Sequence, residues 1–128
     1  MREIREILFR GKCCTTGEWV EGFLGIEVPD DYVIQQFSFD EYFASECIDQ
    51  YSVKLETVGQ YTGLTDKNGA RIFEGDIVKI SNDEIFEVKY EDGRFTAGLF
   101  LGDWDYGHVE VIGNIYDNPE LVEVAEND

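Results

Sequence analysis

The only histidine, His108, stands in "DWDYGHVE" beside Asp103, Asp105 and Glu110, four metal-capable side chains within eight residues. Hard and borderline cations take such oxygen and imidazole ligands. A turn spreads these side chains at diverging angles, however, and no second cluster accompanies them, so no metal site is expected. A cysteine nucleophile would need His108 within reach of Cys13, Cys14 or Cys47, because an unassisted thiol is a weak nucleophile. Nothing in their spacing brings these residues together. "TDKNG" resembles the start of a calcium loop, with Asp66 and Asn68 at ligand positions one and three. Such a loop wants an oxygen at position five and glycine at six. Here Gly69 comes two places early and Ala70 takes position five, so the loop fails. The glycines of "GQYTG" lack the lysine and helix start of a phosphate loop, and turn geometry accounts for them. No catalytic residue, bound metal or cofactor is therefore expected, and the chain reads as a non-enzyme.

Aromatic side chains offer a different chemistry. Trp19, Trp104 and Tyr106 are candidate protein-binding residues. Trp104 and Tyr106 fall in the expected turn "GDWDYG", where burial is less automatic than in a strand. Aromatic loops on small barrels form grooves for peptides.

The elements that must hold these residues read as mainly β. Turn signals ("TTGE", "VPDD", "DKNG", "EDG", "DNP") separate short runs rich in Val, Ile, Phe and Tyr. "ILFRGKCCTTGEWVEGFLGIEV" predicts an N-terminal β-hairpin turning at Thr16-Gly17; a helical start through Met1, Ile4, Ile7 and Leu8 competes with it. "YVIQQF" predicts a strand. Ser38 followed by Glu41 resembles a capping box, with Phe39, Tyr42, Phe43 and Cys47 on one face, which predicts one short helix over 38–50. Asn68-Gly69 and Asp92-Gly93 predict hairpin turns, and "NPEL" a closing turn. The strands from 72 onward read as a meander, and hence as a small SH3-like barrel in the C-terminal half. The expected organisation is a single domain over 1–128, with hairpin and helix in 1–55 and the barrel portion in 56–128.

Composition limits the partners. The 128 residues hold 28 acidic and 10 basic side chains, a formal net charge of −18. Residues 13–53 carry nine acids and no base, and 95–128 carry eight acids and no base. That field opposes binding to a phosphate backbone, so no direct nucleic-acid binding is expected. No apolar run is long enough for a membrane helix, and the N-terminus does not read as a signal peptide. Three cysteines without paired spacing suit reduced thiols in the cytoplasm.

"FRGKCCTTGEWVEGFL", "ETVGQYTGLTDKNGARIFEGDIVKI", "FEVKYEDGRF" and "VIGNIYDNPELVE" resemble the YopX family of small proteins from phages and prophages. The resemblance covers the N-terminal hairpin and nearly everything after residue 56; residues 27–55 lie outside the motifs that carry it. It implies an SH3-like barrel portion and a phage setting, and it transfers no catalytic or binding residue. The combined expectation is a phage accessory protein that binds a host or phage protein in the host cytoplasm. An acidic mimic of nucleic acid that blocks a host DNA-binding protein is the alternative. A homo-oligomer is also expected, from the net positive residues 1–12 meeting the acidic 95–128 segment of a second copy and from Trp19 and Phe23 left to be covered.

Overall fold

The structure is a computed structural model, and it describes residues 7–27, 31–39, 45–80, 83–97, 99–100 and 109–126. The chain is mainly β. It divides into two compact units, Met1–Gln60 and Tyr61–Asp128.

The first unit contains β1 (Phe9–Lys12), β2 (Trp19–Glu27), β3 (Asp31–Phe39) and β4 (Ser45–Ser52), then a single turn of 3-10 helix at Leu55–Thr57. β5 (Gly59–Thr65) begins here and runs across the division. The strands form antiparallel ladders in the order β4-β3-β2-β1, and the start of β5 pairs with β1 through Phe9–Gln60 and Arg10–Gly59. The expected N-terminal hairpin is present: β1 and β2 pair from Phe9–Gly22 to Lys12–Trp19. The turn between them is closed by the Cys13 amide donating to the Glu18 carbonyl and the Gly17 amide to the Cys13 carbonyl.

Gly22 shows why this ladder needs a residue without a side chain. A Cβ there would run into the Gln35 carbonyl and lie 3.0 Å from Ile34 Cγ2. The β2 and β3 backbones meet closely enough to bury Ile34 completely. Beyond β4 the chain turns back on the unit. Cys13 and Val53 form an isolated bridge, flanked by Cys14 amide to Ser52 carbonyl and Lys54 amide to Lys12 carbonyl. Buried Thr57 locks this return. Its Oγ1 accepts the Lys12 amide at 2.9 Å and donates to the Lys54 carbonyl at 2.6 Å.

The helix expected over 38–50 is not formed. Ser38 and Phe39 end β3, and Ser45–Gln50 lie in β4, with Phe37 opposite Cys47 and Ser38 opposite Glu46. Glu41, Tyr42 and Phe43 lie outside the described residues. A two-residue capping signal was outweighed by a strand pattern that begins upstream. Alternating Val33, Gln35 and Phe37 already commit the segment to a ladder, and pairing with β4 supplies the backbone partners a helix would have supplied.

The second unit holds the rest of β5, then β6 (Arg71–Phe73), β7 (Asp76–Lys79), β8 (Ile85–Glu87), β9 (Lys89–Glu91), β10 (Arg94–Ala97), β11 (Leu99–Phe100), β12 (Glu110–Asn114) and α1 (Pro119–Glu126). Two three-stranded sheets result, β12-β7-β8 and β11-β10-β9. The two-residue turn Asp92-Gly93 has positive φ at both positions, +52° and +80°, as the Arg94–Glu91 hairpin requires. Ile72, Val78, Ile80, Val88, Ala97 and Val109 form the buried cluster, with Leu64, Phe86, Phe95 and Val111 against it.

The expected SH3-like barrel is not what these ladders build. The sheets are open among the described residues, and β12 pairs with β7, so the strands do not follow one another in a simple meander. Run "IFEVKY" explains part of this. Val88 leaves the ladder to exchange hydrogen bonds with the β6–β7 turn, its carbonyl accepting from Gly75 and its amide donating to Asp76, and so separates β8 from β9. The "NPEL" turn is instead the start of the one α-helix among the described residues, with Pro119 at its first position, where a missing amide costs nothing.

Candidate functional site

Trp19, the candidate from the hairpin, opens β2 and is half-buried. The Arg10 guanidinium lies 4.6 Å from its ring centroid and Lys12 Nζ 5.5 Å. Register explains the cluster: Lys12 faces Trp19 and Arg10 faces Glu21, so cations and indole share one face of the β1–β2 ladder. Trp104 and Tyr106 lie outside the described residues, as does His108.

Further along the same face of β2 stands Phe23, 42% exposed. It meets Phe37 edge to face with centroids 5.6 Å apart. Aromatic pairs favour this geometry because a positive ring edge meets a negative face. Beside them runs a set of side-chain hydrogen bonds. Gln35 Nε2 donates to Gln50 Oε1 at 2.9 Å, Gln50 Nε2 donates to Glu27 Oε1 at 2.6 Å, and Ser52 Oγ donates to Asp31 Oδ2 at 3.1 Å. Phe23 was visible in the alternation of β2. Its contact with Phe37 was not, because it depends on the register between two strands.

Cys13 is 4% exposed, and its Sγ lies 3.3 Å from Thr15 Oγ1. Hydrogen bonds from the side chains of Thr15 and Thr16, joined by their backbone amides, pull the thiol down to about 6 against the opposing effect of burial. The adjacent Cys14 is exposed, and both are free thiols. The arrangement favours a thiolate at neutral pH but covers it.

The buried carboxylates of the second unit brace the backbone. Asp66, 6% exposed, accepts the amides of Asn68 and Ala70 on Oδ1 and that of Val111 on Oδ2, each at 2.9 Å. Burial by itself would raise its pKa. The three amide bonds, from Val111, Ala70 and Asn68, together with the charge of Lys67 outweigh burial and hold the carboxyl below its ordinary value. Both oxygens of Asp66, the first ligand position of the calcium-like "TDKNG", are thus taken by backbone amides. Lys67 adds its amide to the Val109 carbonyl and its Nζ to Glu110 at 3.2 Å, so the turn is tied to the start of β12. Buried Asp76 accepts the Phe73 amide at 2.7 Å and shapes the β6–β7 turn in the same way. "GQYTG" is strand β5, with Gly63 at φ +90°, and is not a turn. Of the four metal-capable residues Asp103, Asp105, His108 and Glu110, only Glu110 is described, and it pairs with Lys67. Among the described residues no three His, Cys, Asp or Glu side chains gather as a metal site would require.

Fold and site together define a mainly-β protein of two compact units, whose buried carboxylates Asp66 and Asp76 hold backbone amides and whose exposed large apolar side chains include Phe23 and Tyr90. The chain belongs to the YopX family: the family model described as YopX protein matches residues 8–123. Over 70 residues it is 37% identical to the SPbeta prophage-derived uncharacterized protein YopX of Bacillus subtilis (strain 168). That match takes in 43% of this chain and 52% of that protein, so the chain spans about half the length of the relative it matches. Among solved structures it is similar to protein EF1440 from Enterococcus faecalis, with a TM-score of 0.64 and 26% identity over 93% of this chain and 99% of that one.

Proposed function

We propose that this protein is a phage-derived accessory protein that acts by binding another protein in the cytoplasm of a bacterial host, without catalysing a reaction. The observation that carries the reading is exposed Phe23 set edge to face on half-buried Phe37. Folding leaves a large ring 42% exposed on a face that is otherwise organised by side-chain hydrogen bonds. Exposed aromatics framed by polar groups are the usual anchors of protein interfaces. The prophage origin in the name of the Bacillus relative supports the setting. Free thiols at Cys13 and Cys14 suit a reducing compartment. Among the described residues no helix is long and apolar enough to cross a membrane. The buried carboxylates Asp66 and Asp76 accept backbone amides, a structural use that leaves neither as an acid–base group in waiting.

Acidic mimicry of nucleic acid gains no support from β2. Glu21 and Glu27 share a face six residues apart. That is about 20 Å along a strand, far from the close charge spacing of a nucleic-acid strand.

The test is cross-linked capture from cells during prophage induction, run in parallel with wild-type protein and Phe23→Ala. A partner retained by the first and lost by the second is the expected result. No captured protein that depends on Phe23 would overturn the reading.

A further inference from the structure

We infer that the β2–β3 face carrying Phe23 and Phe37 docks a basic protein segment, with its cations at Glu27 and Asp31 and an apolar side chain on the two rings. The inference rests on the protein-binding reading and adds the chemistry of the partner.

Register places the groups together. Phe23 is opposite Gln35 and Glu27 is opposite Asp31, both pairs on one face of the ladder. Between them Gly25 contributes no side chain, and Gln35 leans across it: a Cβ at Gly25 would lie 3.3 Å from Gln35 Oε1. The glutamine also reaches Gln50, which reaches Glu27. The surface is thus continuous from the aromatic pair to the two carboxylates, and hydrogen bonds fix its polar part before any partner arrives. Preorganisation of this kind lowers the entropy cost of association.

The charges select the occupant. Glu27 and Asp31 are exposed, and the groups that orient them are the neutral Gln50 amide and Ser52 hydroxyl. Among the described residues no cation pairs with either carboxylate. The surrounding sequence does not neutralise them, since residues 13–53 hold nine acids and no base. A second copy of this chain, at −18, would bring like charge to the same surface. A segment with Lys or Arg next to an aromatic or large aliphatic residue meets both halves at once, and its cations add attraction to the ring faces.

The probe is a displayed library of random dodecapeptides selected on the full-length wild-type protein. Two variants serve for counter-selection, the rim double variant Glu27→Gln/Asp31→Asn and the control Glu18→Gln/Glu56→Gln, which removes the same number of negative charges elsewhere in the unit. Enriched peptides are expected to combine Lys or Arg with an aromatic or large aliphatic residue. They should lose at least tenfold in affinity on the rim variant and on Phe23→Ala, and less than twofold on the control. Equal losses on rim and control variants would reduce the effect to bulk charge and overturn the inference, as would failure to enrich any sequence. Enrichment of neutral or acidic peptides that still depend on Phe23 would overturn the basic partner while leaving the protein-binding reading intact. Loss of Phe23 dependence both here and in the cell capture would remove both.

Discussion

The two units solve the same problem by different means. In Tyr61–Asp128 six buried aliphatic residues form one cluster, and two buried carboxylates hold the turns around it. In Met1–Gln60 the buried hydrophobic residues among those described are Cys13, Val33, Ile34 and Val53, and long ladders do much of the work. A ladder satisfies backbone groups whatever its side chains are. The first unit leaves Phe23 and Ile26 in water; the second leaves Tyr90 exposed against Phe95 but packs its aliphatic side chains into one cluster. The difference separates a unit whose stability depends on its core from one whose surface can be changed without unfolding it.

The comparison breaks most sharply at Ile72, which is fully buried in the second unit's cluster. Ile72→Ala should cost about 2–5 kcal/mol. Denaturant unfolding gives the magnitude. Native-state hydrogen exchange should show protection lost first in residues 61–126, and an equal loss in the β2–β3 ladder would contradict the division.

Next comes Asp66. Asp66→Ala leaves three amides without their acceptor and should cost at least about 1–3 kcal/mol. The pH dependence has a definite sign. The folded carboxyl lies below its ordinary value, so its contribution is complete above the unfolded pKa, near about 3.9, and is lost as pH falls through the folded value. Acid unfolding of Asp66→Asn should therefore be shallower than that of wild type below about pH 4. Parallel acid limbs would show that the latch does not contribute.

The first unit breaks at a different kind of position. Gly22→Ala puts a methyl group into the Gln35 backbone and should cost about 1–3 kcal/mol, although it adds apolar volume. A neutral result in thermal unfolding would mean that β2 and β3 can separate freely, against the close ladder observed.

Phe23→Ala should be the mildest change, costing about 0.5–1.5 kcal/mol from loss of the edge-to-face pair with Phe37. Its effect belongs to partner capture. A large drop in melting temperature would make Phe23 a core residue and erase the contrast between the units.

Local chemistry was legible without coordinates. The β1–β2 hairpin, the Asp92-Gly93 turn and the strand β7 follow from residue type and φ preference, which act within a few residues, whereas the burial of Asp76, Ile77 and Val78 in succession departs from the alternation that period alone would give. Trp19 was legible as a candidate, and its Arg10 and Lys12 neighbours follow from hairpin register. The start of α1 was signalled by Asn118-Pro119-Glu120, but a turn fits the same three residues.

What the sequence by itself determined is the β class, the acidic field and the positions of the tight turns, because composition and backbone preference are local properties. Only the tertiary structure decided that 38–39 and 45–50 are strand, that β12 pairs with β7, and that Asp66 reaches the Val111 amide 45 residues away. Each of these depends on which distant backbone offers a partner. A segment with mixed local signals takes the conformation in which its amides and carbonyls are satisfied, and that partner is supplied by the fold.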